Sequence, residues 1–205
     1  QGNVNVLSPV ITRNGGHLFI SSAADMILDN RLEVTGSLTL VAVGNVIINS
    51  TITTRGGSID VQAGDEIRMG ALTVASTNGG NIRLQGQSDI TLGQLDTRAY
   101  APITLTEQAQ TTWGDVSITS IAGAIGDAAT AGDTGLNIIA DELRLLAANG
   151  IGVIGASSNA IETQVRVLTA QVTTSGAINI DESTGLTLGT VAPISVNRIG
   201  ADASV

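Results

Sequence analysis

The chain holds one histidine, no cysteine and no lysine, which closes most side-chain chemistry to it. A nucleophilic triad would have to be built on His17. That residue follows Gly16 and precedes Leu18, an outward place at the start of a strand-like alternation and poor ground for a general base. Carboxylates are the remaining candidates, and adjacent acids occur at Asp65-Glu66, Asp141-Glu142 and Asp181-Glu182. Paired acids can cleave glycosidic bonds, but neighbours on a strand point to opposite faces, so a sequential pair is not an acid/base couple. Solvated corners and pairing between successive turns account for these acids better. The expectation is no catalytic residue, no cofactor and no metal site. Calcium at a corner stays open, but the nonapeptide glycine-aspartate calcium repeat is absent and no motif supports it.

Two aromatic residues offer the best ligand contact. Tyr100 and Trp113 flank an irregular stretch around Pro102, where exposed rings can stack on sugars. The plainer account is a ring plugging a widened corner. Phe19, Ile27 and Ile47 fall at outward positions of neighbouring strands and together suggest an apolar interface patch. In the outward column of the first strand of each repeat stand Phe19, Thr39, Asp60, Arg83, Ser117 and Asn179. That mixture excludes a flat ice-binding ladder of threonines. Asp60 beside Arg83 predicts an ion pair between consecutive turns, of order 0.2–1 kcal/mol if exposed.

What positions these residues is a repeat. Counting from Gly16, aliphatic residues follow at Leu18, Ile20, Met26 and Leu28. The same spacing returns from Gly36 (Leu38, Leu40, Val46, Ile48), Gly57 (Ile59, Val61, Ile67, Met69) and Gly80 (Ile82, Leu84, Ile90, Leu92). It recurs from Gly176 with Ile178, Ile180, Leu186 and Leu188. The period of 20–23 residues, read from positions 16, 36, 57 and 80, means a solenoid. Each repeat holds two short alternating strands and a looser third, as at Thr51-Ile52-Thr53, Leu72-Thr73-Val74 and Leu95-Asp96-Thr97. The two to five residues left for each corner exclude a helix. The predicted fold is therefore all-β: a parallel β-helix, a three-faced β-solenoid with about 20–23 residues per turn. One segment spans 1–205, with regular turns over 16–99, irregular or loop-bearing turns over 100–175 and a regular turn over 176–196. Asn14-Gly15-Gly16, Arg55-Gly56-Gly57 and Asn78-Gly79-Gly80 supply the positive φ that sharp corners need.

Composition agrees. Hydrophobic residues make up 42% of the chain and aromatics 1%, as suits a narrow interior of stacked Val, Ile and Leu. The net charge of −9, with all nine basic residues arginine, leaves no basic cluster for nucleic acid. No apolar run reaches the ~18 residues of a membrane span. The chain opens on Gln1 without a methionine or a signal peptide, and we expect it to be a portion of something longer.

Three phrases carry a family likeness: Leu-Arg-Leu-Leu-Ala-Ala-Asn-Gly-Ile-Gly (143–152), Asn-Ala-Ile-Glu-Thr-Gln-Val (159–165) and Ser-Gly-Ala-Ile-Asn-Ile-Asp-Glu-Ser-Thr-Gly-Leu-Thr-Leu-Gly (175–189). With the repeat, they resemble the large secreted exoproteins of bacteria, the filamentous-haemagglutinin-like adhesins. The resemblance spans most of the chain, although that family's N-terminal secretion domain and its Asn-Pro-Asn signature are not in it. It implies a right-handed parallel β-helix serving as a non-catalytic structural or adhesive shaft segment, extracellular or on the bacterial surface. The implied partners are neighbouring turns or copies of the same fibre and host or surface glycans or proteins, with neither nucleic acid nor a transmembrane segment. The alternatives are a β-helical carbohydrate-active enzyme, which needs several acids converging in one cleft, and a self-stacking filament subunit.

Overall fold

The computed structural model describes residues 2–129, 133–154, 157–202 and 204–205. Among these residues the chain winds into a β-solenoid of eight turns, each passing in order through three parallel sheets. The first sheet contains Val4–Val6, Met26–Leu28, Val46–Ile48, Ile67–Met69, Ile90–Leu92 and Ile125–Asp127, and single bridges at Ile151 and Ile178 continue it. The second contains Val10–Ile11, Leu32–Val34, Ile52–Thr54, Val74–Ser76, Gln94–Asp96, Ile138–Ile139, Ile161–Gln164 and Ile180–Glu182. The third contains Leu18–Ser22, Leu38–Ala42, Ile59–Ala63, Ile82–Gly86, Val116–Ser120, Glu142–Ala147, Val167–Val172 and Thr187–Leu188. Seven steps between eight stacked strands make a rod about 34 Å long. Among the described residues, helix is limited to one 3₁₀ turn, Gln110–Thr112.

The repeat spacing works because residues two apart on a strand share a face. In the third sheet Leu18, Leu38, Ile59, Ile82, Val116, Leu143, Leu168 and Leu188 stand in register, one above the next. From Leu38 to Leu143 this column is fully buried. Val4, Met26, Val46, Ile67, Ile90, Ile125, Ile151 and Ile178 form its counterpart in the first sheet.

Corners between the second and third sheets are closed by threonine. Its hydroxyl donates to a glycine carbonyl at Thr12–Gly16 (2.7 Å), Thr54–Gly57, Thr77–Gly80 (2.5 Å) and Thr97–Gly114 (2.6 Å). The glycines divide their work. Gly15, Gly56 and Gly79 adopt positive φ, as do Asn14 and Asn78. Gly57 and Gly80 are needed for space instead: a Cβ there would lie 2.1 and 2.3 Å from the carbonyl oxygens of Gly36 and Gly57. Consecutive turns touch backbone to backbone at this edge, a reason for glycine distinct from conformational freedom.

The structure departs from the sequence expectation in four places. The stretch 100–175 keeps an unbroken third-sheet ladder, so its irregularity sits at the corners and not in the strands. The copy beginning at Gly176 is out of phase: Ile178 stacks on Ile151 in the first sheet and Ile180 on Ile161 in the second, while Leu188 belongs to the third. In the fourth turn the second-sheet strand is Val74–Ser76, and Leu72 is 97% exposed. A local turn in which the Thr73 backbone N–H and hydroxyl both donate to the Gly70 carbonyl absorbs the extra residues of that 23-residue repeat. Finally, residues 190–199 do not form another turn. They fold back as a strap across the outer face of the third sheet.

That strap crosses the strands at a steep angle. Val191 N–H donates to Thr169 Oγ1 (2.7 Å), Asn81 Nδ2 donates to the Ser195 carbonyl (2.8 Å), Asn197 N–H donates to Ser58 Oγ (2.8 Å) and Ile199 N–H donates to Thr39 Oγ1 (2.8 Å). It therefore spans turns seven to two. Pro193, which has no N–H to give, sits in the strap, where no ladder asks for one.

Candidate functional site

Three carboxylates that no guanidinium among the described residues pairs with converge at the corner between the first and second sheets in turns six and seven. Here both turns depart from the short corner: Ile125–Asp127 and Ile138–Ile139 bracket one excursion, and in the next turn Val153–Ile154 pairs antiparallel with Ser157–Ser158 before the second-sheet strand Ile161–Gln164. Asp127 ends a first-sheet strand in register with the fully buried Leu92, so an acid occupies a place that other turns give to an aliphatic residue. Asp133 comes from the first excursion and Glu162 from the second-sheet strand of turn seven. Their carboxylate oxygens lie within 4.8 Å of one another.

Amide groups partly balance this charge. Asn137 Nδ2 donates to Asp127 Oδ1 (2.7 Å), and Asn159 Nδ2 donates to Asp127 Oδ2 (2.5 Å) and Asp133 Oδ1 (3.4 Å). Backbone N–H groups of Ala129 and Gly135 donate to Asp127 Oδ1 and Asp133 Oδ2. No guanidinium among the described residues pairs with any of the three acids. Glu162 is only 7% exposed, and its Oε2 is the one buried side-chain polar atom among the described residues that lacks a hydrogen-bond partner. Burial, and then the nearby charges of Asp133, Asp127 and Asp181, push its carboxyl above the usual range. A groove of about 210 Å³ lined by Gln94, Asp127, Asp133 and Asn137 opens beside the cluster. Oxygen-only donors of this kind suit a hard divalent cation.

The sequence-selected aromatics lie elsewhere. Residues 98–113 are inserted between Thr97 and Gly114, whose corner bond is kept despite the insertion. Trp113 is buried, its Nε1–H donating to the Gln108 carbonyl (3.0 Å), so the ring fills the base of the excursion. Tyr100 is half-buried and bridged to Glu107, with the Arg98 guanidinium 6.0 Å from its ring centre. The hydrogen bonds that Arg98 donates to Asp96 raise the guanidinium's pKa, and burial raises that of Tyr100. The two rings thus have different surroundings, and only Tyr100 keeps a partly open face. Ile103 and Leu105 stand out from the excursion at 94% and 73% exposure.

Of the residues expected to form an apolar patch, Ile27 and Ile47 are in register on the first sheet, both half-buried. Phe19 belongs to the third sheet, beside Thr39, and the fold does not bring it onto the face of the two isoleucines. The outward third-sheet column is Phe19, Thr39, Asp60, Arg83, Ser117, Arg144 and Thr169, with Asn179 outside it because of the phase change. The predicted pair between turns is present and bidentate: Arg83 Nε to Asp60 Oδ1 and Arg83 Nη2 to Asp60 Oδ2, each 2.9 Å. Asp60 is fully buried, because the strap with its Arg198 passes over it. The expected pair is present, and the range given for an exposed pair does not apply to it, since Asp60 is buried.

Two of the sequential acid pairs meet partners on other turns, while Glu66 pairs with Arg68 on its own turn (2.8 Å). Arg166 donates to Asp141 (2.6 and 3.0 Å) and to Glu142 (3.2 Å), and Asp141 raises it. Glu182 accepts from Thr163 Oγ1 (2.7 Å) and the Val165 N–H. His17 accepts the Ser37 N–H at Nδ1 (2.8 Å), a backbone-supporting role at a corner. Sequence reasoning missed Asp127, Asp133 and Glu162, which no short motif connects. It also missed the corner threonines, although Thr three residues before Gly at 54–57 and 77–80 is a visible signal.

A lateral groove of about 640 Å³ lies outside the second sheet near its first turns. Arg13, Arg31 and Arg55 line it, with Glu33 paired to Arg31 at 2.8 Å. Among the described residues no helix is long and apolar enough to cross a membrane. Compared with protein-family models, curated proteins and solved structures, the chain matches none.

Proposed function

We propose that this chain is a non-catalytic shaft segment of an extracellular bacterial adhesin or surface fibre. The observation that supports it best is the repetition of one turn through the body: the inner third-sheet column is fully buried from Leu38 to Leu143, each turn covering the last. At the last turn Ile178, Ile180, Leu186 and Leu188 line an apolar groove of about 510 Å³. Turns of one outline stacked in this way suit a rigid spacer. The mechanical role follows: ladders hold the backbone, aliphatic columns fill the interior, and the outer faces present contacts at fixed intervals. The arginine-lined groove on an otherwise acidic surface is the place for a carboxylated or sulfated glycan.

Antibodies raised against the purified chain and applied to intact producing cells test this reading. Labelling of unbroken cells is the expected outcome, and label confined to lysed cells would overturn it. On an array of acidic glycans, binding lost in Arg13→Ala and Arg55→Ala variants supports the groove. Binding that survives both places the contact elsewhere.

A further inference from the structure

We propose that Asp127, Asp133 and Glu162 bind one calcium ion that fastens turn six to turn seven. The inference stands apart from the shaft reading, because the site would exist whatever the outer faces contact.

Three carboxylates converge within 4.8 Å, and oxygens at that separation can share one ion at the 2.3–2.6 Å distances of calcium. The second and independent observation is Glu162. The residue is more than nine-tenths buried, one of its carboxylate oxygens lies within 4.8 Å of both aspartates, and its Oε2 has no hydrogen-bond partner. A buried carboxylate oxygen without a donor is costly, and two more acids beside it add repulsion. One divalent cation removes both penalties together.

The donors select the metal. All are oxygens, with no imidazole or thiolate among them, which disfavours zinc. They come from a strand end, an irregular excursion and a strand on the next turn, a flexible set suited to calcium's variable coordination. Magnesium demands near-ideal octahedral geometry and keeps most of its water, so three convergent carboxylates are an unusual host for it. The groove beside Asp127 and Asp133 gives the ion a path from solvent and room for water ligands.

The position explains what the ion does. At this corner the first-sheet ladder thins from full strands to the single bridges Ile125–Ile151 and Ile151–Ile178. Fewer backbone bonds hold the turns together here, and an ion spanning Asp127 and Glu162 supplies the missing tie.

The chelator-treated full chain is titrated with calcium chloride by calorimetry and by thermal unfolding. One ion per chain is expected, and at about 100 times the dissociation constant a Tm rise of roughly 5–10 °C. Hydrogen exchange should slow within 133–137 and 159–163. Glu162→Gln keeps the shape while removing a charge, and Asp133→Asn, at a half-buried position, guards against failure of the first variant to fold. Each should weaken calcium binding by about tenfold or more. Absence of heat and of a Tm change in the unaltered chain overturns the site, as does an unchanged response in both folded variants. Protection confined to other segments also overturns it, and an equal shift with magnesium chloride overturns the choice of calcium.

Discussion

Turns two to four and turns six to seven carry the same third-sheet ladder but treat their corners in opposite ways. In the earlier turns each corner is short and closed from within. Threonine hydroxyls reach glycine carbonyls on one edge, and on another Asp25 accepts from the Asn45 N–H (2.8 Å) and side-chain amide (3.1 Å). In the later turns the corner between the first and second sheets opens into two excursions, and an acid replaces an inward aliphatic residue. A ladder of backbone bonds does not depend on what happens between its strands, so insertions at corners cost it little. Individual chemistry therefore collects where regularity lapses, as it does on loops of other scaffolds.

The sharpest way to break this contrast is at glycine. Gly57→Ala places a Cβ 2.1 Å from the Gly36 carbonyl oxygen and should cost about 4 kcal/mol or more, measured by urea unfolding. Gly135→Ala, in the turn-six excursion, meets only an Asp133 carboxylate oxygen at 3.2 Å and should cost less than about 1 kcal/mol. Equal losses would erase the distinction between closed and open corners. Next in size is Arg83→Met, which leaves the fully buried Asp60 with only the Gln62 amide (3.2 Å) and the more distant Arg198 (3.9 Å), and should cost about 3 kcal/mol, the low end because Arg83 itself is 29% exposed. Arg68→Ala breaks an exposed pair with Glu66 and should cost no more than about 1 kcal/mol. Thr77→Val removes the corner bond to the Gly80 carbonyl and should cost about 1.5 kcal/mol by the same assay.

The smallest expected effect is a pH dependence. Burial together with Asp133, Asp127 and Asp181 raises Glu162, so between its ordinary and its raised value the folded chain holds a proton that the unfolded chain has lost. Its contribution in chelator is thus fully present below the ordinary value and fades as pH rises through the folded one. Glu162→Gln should flatten that decline, and an unaltered slope would assign it to another group.

The fold was readable because one inward position in every turn must be aliphatic, and those positions return at 20–23 residues. Asp60 and Arg83 were readable for the same reason, since equal places in adjacent repeats must touch. The strap was not, because residues 190–199 bind through N–H groups and hydroxyls that leave no periodic trace. Nor was the phase at Gly176: a glycine and two aliphatic pairs look alike whichever sheets receive them. The three acids at 127, 133 and 162 lie on two turns and an excursion, a proximity created by winding and invisible to any local motif.

The strap also alters how the rod meets force. A plain stack yields from its ends, each coil released in sequence. Here the segment that leaves the eighth turn is laid back over the body as far as Thr39, so tension on the C-terminus first strips Ile199, Asn197 and Ser195 from their hydroxyl and amide fastenings. Those small ruptures act as a fuse, and the last coil bears load only after they are spent.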